Sequence, residues 1–338
     1  MTLFISAYNE EEIIEEKLRN TLELDYPNQE LETIVVSDGS TDRTPEIVGR
    51  FADRGVILRH YEERIGKTGC LNRAIPSARG EILVFSDANA FYDRDAVRHL
   101  VRNFQDARVG FVTGHTKYAY PLSGGALAPV GLYAKLETWT KRLESRIGSC
   151  VGADGAIFAI RKERYSPLHD EDINDFVMPL QIIQGGFRGV LEEQAYCIER
   201  TGKSPAEEFR RQVRITSRTL RALFKHSGLL NPLRYPLFAY QLTSHKFLKL
   251  LMPFLLVLLF VANAFLVMER SGTILLLTFV SQIGFYSLSA VAQMTGCSGP
   301  LARAASLSHV FLAVNVAVLI GWKQYLRGEH YRTWVTNR

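Results

Sequence analysis

Cysteine is scarce in this sequence. Its four copies, Cys70, Cys150, Cys197 and Cys297, stand far apart with no paired spacing. That excludes a disulfide framework and a cysteine-built zinc site, and it points to reduced thiols. Internal repeats and low-complexity segments are missing too, which removes solenoids and compositionally biased tails. No secretory leader opens the chain, because Met1 runs straight into the strand-like "TLFISAYNEE". So abrupt a start leaves room for a membrane segment upstream. A strong charge excess is also lacking. The formal net charge is +5 over 338 residues, too mild to suggest nucleic acid. The excess gathers beside apolar segments, where an anionic lipid or an anionic substrate is the fitting partner.

The most informative absence is local. Residues 250–268, 271–302 and 304–322 contain no Asp, Glu, Lys or Arg, and each run reaches the roughly 20 apolar residues that span a bilayer. Residues 1–228 are instead rich in charge, with apolar runs of strand length. The reading is a cytosolic-type domain over 1–228 and an interfacial segment over 229–249. A membrane region over 250–338 follows, with about three hydrophobic segments (250–268, 271–295 and 304–322) and a short basic tail. Three full spans would place Lys323, Arg327, Arg332 and Arg338 opposite the first domain, against the positive-inside tendency. One segment is therefore expected to be re-entrant or interfacial, and Pro253 makes the first the candidate.

Within the first domain, apolar runs alternate with helical patterns. Residues 2–7 read as a strand and 10–24 as a helix, with Ile13, Ile14, Leu18 and Leu22 on one face and Asn9 as N-cap. Strands follow at 33–37, 56–61 and 81–86. Between them lie a helix opening near Pro45 and another over 67–77. Such alternation implies a parallel sheet covered on both faces. Ligands of such sheets bind beyond the carboxyl ends of the strands. Three polar tips fall there: Ala7-Tyr8-Asn9, Asp38-Gly39-Ser40 and Asp87-Ala88-Asn89. Taken alone, Asp87 and Asn89 read first as turn or helix-cap residues and only second as a phosphate-metal site; the company of the other two tips reverses that order. Further along, 127–146 reads as a helix, "GADGAIFAIRKERY" is glycine-spaced, and the acidic loop "SPLHDEDIND" leads into the helix "DFVMPLQIIQGG". Residues 206–225 form an amphipathic helix with Arg210, Arg214, Arg218, Arg221 and Lys225 in one stripe.

Seven motifs stand in order between about Leu3 and Leu223: "AYNEE", "SDGSTD", "GKTGCLNRA", "FSDANA", "GADGAIFAIR", "IND" and "RRQVRI". In this the chain resembles the membrane-bound family 2 glycosyltransferases. It is similar to the catalytic subunits of bacterial cellulose and poly-N-acetylglucosamine synthases and to hyaluronan synthase. The resemblance implies an α/β glycosyltransferase A fold, Rossmann-like, followed by transmembrane helices. It also implies a nucleotide-sugar donor, here a UDP-sugar, and inversion at the anomeric carbon.

Carried over residue by residue, the resemblance implies that Tyr8, with Asn9 and Glu11 of its motif, and Asp38 hold the nucleotide. Lys67 would meet the donor phosphates. Asp87 and Asn89 stand where the family has an acid-x-acid pair, and would hold Mg2+ or Mn2+. Asp154 and Gly155 fall in the acceptor-side segment. Arg211 and Arg214 match the cationic motif that meets the diphosphate, with Ile215 replacing the family's Trp. The general base is Asp175 by its interval to Gly186-Phe187, with Asp172 of the "ED" dipeptide as second choice. Helix capping is the competing role for both.

The expectation is an inverting hexosyltransferase integral to the plasma (inner) membrane, catalytic domain cytoplasmic, extending a β-linked exopolysaccharide. Accessory export subunits are possible partners. The rival is single addition to a lipid or lipid-linked acceptor. Asn89, Asn174 and Ile215 motivate a second rival, a non-catalytic sugar-binding component.

Overall fold

The structure, a computed structural model, describes residues 1–27, 29–119, 128–200, 205–269, 272–294, 300–329 and 331. Cys297 and the tail arginines Arg332 and Arg338 lie outside them. The chain opens β1 (Thr2–Ala7), α1 (Ile14–Leu22), β2 (Glu32–Asp38), α2 (Thr44–Gly49), β3 (Val56–Tyr61), α3 (Gly66–Ala74) and β4 (Ile82–Asp87). β2 is buried along its whole length, as a strand covered on both faces must be. These four strands are parallel in the order β3-β2-β1-β4, with Ala7 opposite Ser37, Asp38 opposite Tyr61 and Ser6 opposite Asp87. That register brings the three polar tips level at one edge.

The sheet continues through β5 (Ala90–Tyr92), β6 (Val109–Ala119), β7 (Ile157–Arg161) and β8 (Arg188–Arg200), with α4 (Ala96–Arg102), α5 (Ala128–Ile147), α6 (Asn174–Gln184) and α7 (Pro205–Lys225) between or after them. The full order is β3-β2-β1-β4-β7-β6-β8-β5. β7 runs antiparallel to β4 and β6, and β5 antiparallel to β8; the strands the alternation covered, β1 to β4, are parallel as expected, and the later part makes the sheet mixed. Strand direction follows from which end the chain enters, and apolar runs do not encode it. Side chains alternate between two cores. On one side Phe4, Phe85 and Phe158 stack, with centroids 5.9 and 4.7 Å apart. On the other, Ile5, Val35 and Val84 meet Ile14, Leu18 and Val48.

One glycine is fixed by space. A Cβ on Gly189 would stand 1.9 Å from the Phe111 ring, at the β6–β8 contact. Gly189→Ala is therefore expected to cost about 1–3 kcal/mol or more through overpacking, read as a lowered unfolding midpoint of the solubilised protein.

Asn9 does not cap α1, as the sequence suggested. Its φ is 51°, the helix begins at Ile14, and the Asn9 side chain accepts from Thr41 N at 2.9 Å. The left-handed residue turns the chain so that the amides of Glu10 and Glu11 donate to Thr44 Oγ1 and Asp42 Oδ2, 2.8 and 3.0 Å. The loop after β2 takes those amides, and the helix starts late.

Beyond α7 come α8 (Pro236–Leu242), a π-turn at Thr243–Phe247, α9 (Leu248–Glu269), α10 (Thr273–Met294) and α11 (Pro300–Leu326). Three stretches are long and apolar enough to cross a membrane: Pro236–Glu269, Thr273–Ala290 and Leu301–Leu326. Near the end of α11, Trp322 Nε1 donates to Leu250 O at 2.8 Å. Tyr325 stacks on Phe224 of α7 at 5.4 Å, and Arg221 donates to Glu329 O at 3.0 Å. The start of α9 and the end of α11 thus share one end of the bundle, against α7. Three complete crossings would separate those ends. α9 also runs unbroken through Pro253.

Candidate active site

The cleft edge is organised by Asp38. Its buried carboxylate accepts from Ile65 N at 2.8 Å, from Gly66 N at 2.9 Å and from the Cys70 thiol at 3.3 Å. Gly66, at φ +85°, makes the turn into α3. The sequence assigned Asp38 to the nucleotide, but its carboxylate is engaged by these donors and closed to solvent. Its work is to fix the start of α3, which aims Lys67 back over the strand tips. There Lys67 Nζ donates to Asp87 Oδ1 at 2.5 Å.

Asp175 enters from the opposite side, in the first turn of α6. Its Oδ1 is shut from solvent and has no hydrogen-bond partner among the described residues. Burial raises its pKa. Lys67 opposes the rise, and the charges of Asp87 and Asp154 add to it. Lys67, Asp87 and Asp154 are thus near enough to Asp175 for their charges to act on it. The segment between them is tight: a Cβ on Gly155 would lie 2.5 Å from Asp175 Oδ2, and Ala153 N donates to Asp175 O at 2.8 Å. Asp154 is held by Thr116, whose amide and hydroxyl donate to its Oδ2 at 2.9 and 3.0 Å.

Asp172 is elsewhere. Its carboxylate is buried, accepts from His169 N at 3.0 Å and pairs with Lys225 at 3.0 Å. Its carbonyl accepts from Thr68 and Arg218 at 2.8 and 2.6 Å. It staples the acidic loop to α3 and α7.

Other expected contacts differ in detail. The Asn9 and Glu11 side chains bind protein: Asn9 meets Thr41, and Glu11 accepts from Arg43 N and Nε at 3.2 and 3.0 Å. They shape the loop beside the cleft. The Tyr8 ring carries the Arg64 guanidinium 3.6 Å from its centroid, so a base stacking there meets a cation–π pair already formed. Arg211 pairs with Glu208 one helical turn earlier, at 3.1 Å. Burial, with Arg211 beside it, lowers the pKa of Arg214.

Sequence reasoning missed two cations. Arg218 donates to Glu171 O and Asp172 O at 2.7 and 2.6 Å, and burial lowers it to about 10. Lys17 is fully buried beneath the β4–β5 turn. It donates to Ala90 O and lies 4.3 Å from the Tyr92 centroid, with its pKa pulled to about 7 by burial. The visible signal was a lysine inside the apolar stripe of Ile14, Leu18 and Thr21.

For a metal, Asp87 and the half-buried Asn89 offer two oxygen donors, and Asn89 has no hydrogen-bond partner among the described residues. Among those residues no group of three His, Cys, Asp or Glu could enclose an ion. The set fits a hard cation held partly by ligand phosphates and water, as magnesium commonly is. It does not fit an all-protein cage.

Residues 2–145 match the family model for glycosyl transferase family 2. A β-monoglucosyldiacylglycerol synthase of Nostoc sp. is 36% identical over 116 residues, 33% of this chain and 25% of that protein. A poly-β-1,6-N-acetyl-D-glucosamine synthase of Staphylococcus aureus is 28% identical over 203 residues, 58% of this chain and 49% of that protein. The chain thus spans about a quarter to a half of the curated relatives it matches. Among solved structures, the mannosyltransferase PcManGT from Pyrobaculum calidifontis, in complex with GDP-Man and Mn2+, aligns with a TM-score of 0.73 at 23% identity. The alignment covers 97% of this chain and 87% of that one. This likeness is one of fold, a glycosyltransferase A-type sheet followed by long apolar helices.

Proposed function

We propose that the region matching the glycosyl transferase family 2 model, residues 2–145, serves to move a sugar, with inversion, from a UDP-sugar to an acceptor at a membrane surface. The observation that carries this reading is the unpartnered, buried Asp175 oxygen, which packs against Gly155 and feels the charges of Lys67 and Asp87. Glycosyl transfer needs an acceptor hydroxyl deprotonated, a diphosphate stabilised as it leaves, and the two held in line.

Asp175 takes the hydroxyl proton as the acceptor oxygen attacks the anomeric carbon. Attack from the face opposite the diphosphate inverts that carbon. Asp154, locked by Thr116, positions an acceptor hydroxyl. Lys67 exchanges Asp87 for the donor phosphates, and Asp87 and Asn89 hold the cation. A bound Mg2+ or Mn2+ supplies charge neutralisation for the departing diphosphate.

The acceptor is proposed to be a growing β-linked glycan. The end of α11 packs closely on α7, where a Cβ on Gly321 would lie 2.6 Å from Thr216 Cβ, so the bundle is joined directly to the helix that carries Arg211 and Arg214. The shared end of α9 and α11 puts Lys323 and Arg327 beside the catalytic domain, which supports a cytoplasmic orientation at the plasma membrane. By the same reasoning α10 is the segment that does not fully cross.

Ile215 favours a second reading, transfer of one sugar to a lipid, because isoleucine offers an acceptor sugar no flat face. If chains are made, Ile215→Trp is expected to lengthen them at equal donor supply. A single-sugar product from both proteins would select the lipid acceptor. The decisive experiment is nucleotide release by the purified protein across a panel of UDP-sugars, with GDP-mannose as comparison, with and without Mn2+. Manganese-dependent UDP release supports the proposal. Nucleotide binding without release from any donor would select the non-catalytic rival, and release from GDP-mannose alone would overturn the UDP assignment.

A further inference from the structure

α5 is inside out for a helix in water. Leu136, Trp139, Leu143 and Ile147 are 54, 52, 38 and 57% exposed, and their spacing of three, four and four residues puts them on one face. Lys141 and Glu144 are buried instead, at 6 and 4% exposed. A surface helix of a soluble domain shows the opposite arrangement.

The buried polar face explains where the helix lies. Glu144 meets His245 Nδ1 at 2.6 Å and Glu137 meets His245 Nε2 at 3.0 Å. Glu137 also pairs with Lys249 at 3.1 Å and Lys246 at 3.4 Å. Those partners sit in the π-turn and first residues of α9, where the first apolar span leaves the catalytic domain. At the other end, a Cβ on Gly148 would stand 3.0 Å from Leu237 of α8. The charged side of α5 is therefore clamped along the root of the membrane bundle, and the apolar side is turned out at that level.

We propose that α5 lies in the plane of the bilayer surface, with the face of Leu136, Trp139, Leu143 and Ile147 immersed at the boundary between headgroups and acyl chains. The stripe runs about 16 Å along the axis. Trp139 on it is a residue type favoured at that depth, and the exposed Lys135 and Arg146 flank it with positive charge suited to anionic headgroups. α5 leads within a few residues to Gly155, which abuts Asp175, so docking would bring the acceptor side of the cleft to the lipid surface. The inference rests on the membrane reading of α9 and α11, and it is independent of the proposed chemistry.

The test uses the full chain in phosphatidylcholine–phosphatidylglycerol vesicles, with Cys297→Ser as background because the other three cysteines are buried. A bimane is attached at Leu143→Cys, at Val261→Cys on α9, or at Arg54→Cys on the soluble domain. Phospholipid carrying a nitroxide near the top of its acyl chain is expected to quench positions 143 and 261 at least twofold and leave 54 unchanged. If 143 behaves like 54 while 261 is quenched, the inference is overturned and the membrane reading stands. If neither 143 nor 261 is quenched, both readings are overturned. A bimane at 143 that lipid nitroxide leaves bright, yet aqueous iodide cannot reach, would assign the face to a protein partner and likewise overturn the inference.

Discussion

Asp175→Asn is expected to lower kcat by about 10²–10⁴-fold, the usual loss with a general base, while donor affinity stays near wild type. The amide keeps the shape of the side chain but cannot take a proton. Because Asp175 makes no hydrogen bond to Lys67 or Asp87, which pair with each other, its loss leaves phosphate contacts in place. The same geometry gives a pH signature. Burial raises the Asp175 pKa, and the base must be ionised, so wild-type kcat falls as pH drops through a value above the ordinary carboxylate range. The asparagine variant should lack that acidic limb. Stability moves the other way. A carboxyl with a folded pKa above its unfolded value contributes stability below the unfolded value and loses it as pH rises through the folded one. At neutral pH the wild type therefore carries an ionised, partner-poor oxygen, and Asp175→Asn should unfold at a higher temperature. A variant that turns over normally, or is both inactive and less stable at neutral pH, would contradict this account.

The separation of Asp175 from Asp172 shows what the sequence could and could not carry. The interval to Gly186-Phe187 pointed to Asp175, and the more acid-rich "ED" dipeptide pointed to Asp172. Local composition could not reveal that Lys225, 53 residues on, occupies the Asp172 carboxylate. Asp38 makes the same point: a strand-end acid was legible, but its engagement by the Ile65 and Gly66 amides depends on a loop closing from 27 residues away. The parallel half of the sheet was readable because β1, β2 and β4 are largely buried runs, and β3 an apolar-led edge strand, separated by helical patterns. β7 and β8 were not readable as sheet members, since their direction and neighbours come from long-range pairing. Lys17 was visible but passed over. A lysine in an apolar helical stripe looks like a snorkelling surface residue until a strand-end carbonyl is found above it.

Asp87→Ala is expected to abolish the effect of manganese on nucleotide affinity, and with it donor-dependent activity. Altering partners behind a metal ligand costs about 10–100-fold in affinity or activity, and loss of a direct ligand should cost at least that. The Lys67–Asp87 pair sharpens the expectation. With Asp87 gone, Lys67 has no carboxylate to hold it and is free for phosphate. Metal-free affinity for UDP should therefore hold or rise slightly even as the metal-dependent gain disappears. Wild type titrated with UDP should show two well-separated curves, with and without Mn2+, and Asp87→Ala a single curve near the metal-free one. Asn89→Asp should move the wild-type metal-bound curve toward tighter binding, because it adds a charged oxygen to a site whose protein ligands are few. If Asp87→Ala keeps the full manganese effect, residues 86–89 are only the turn that ends β4, and the cation, if there is one, is held by other oxygens.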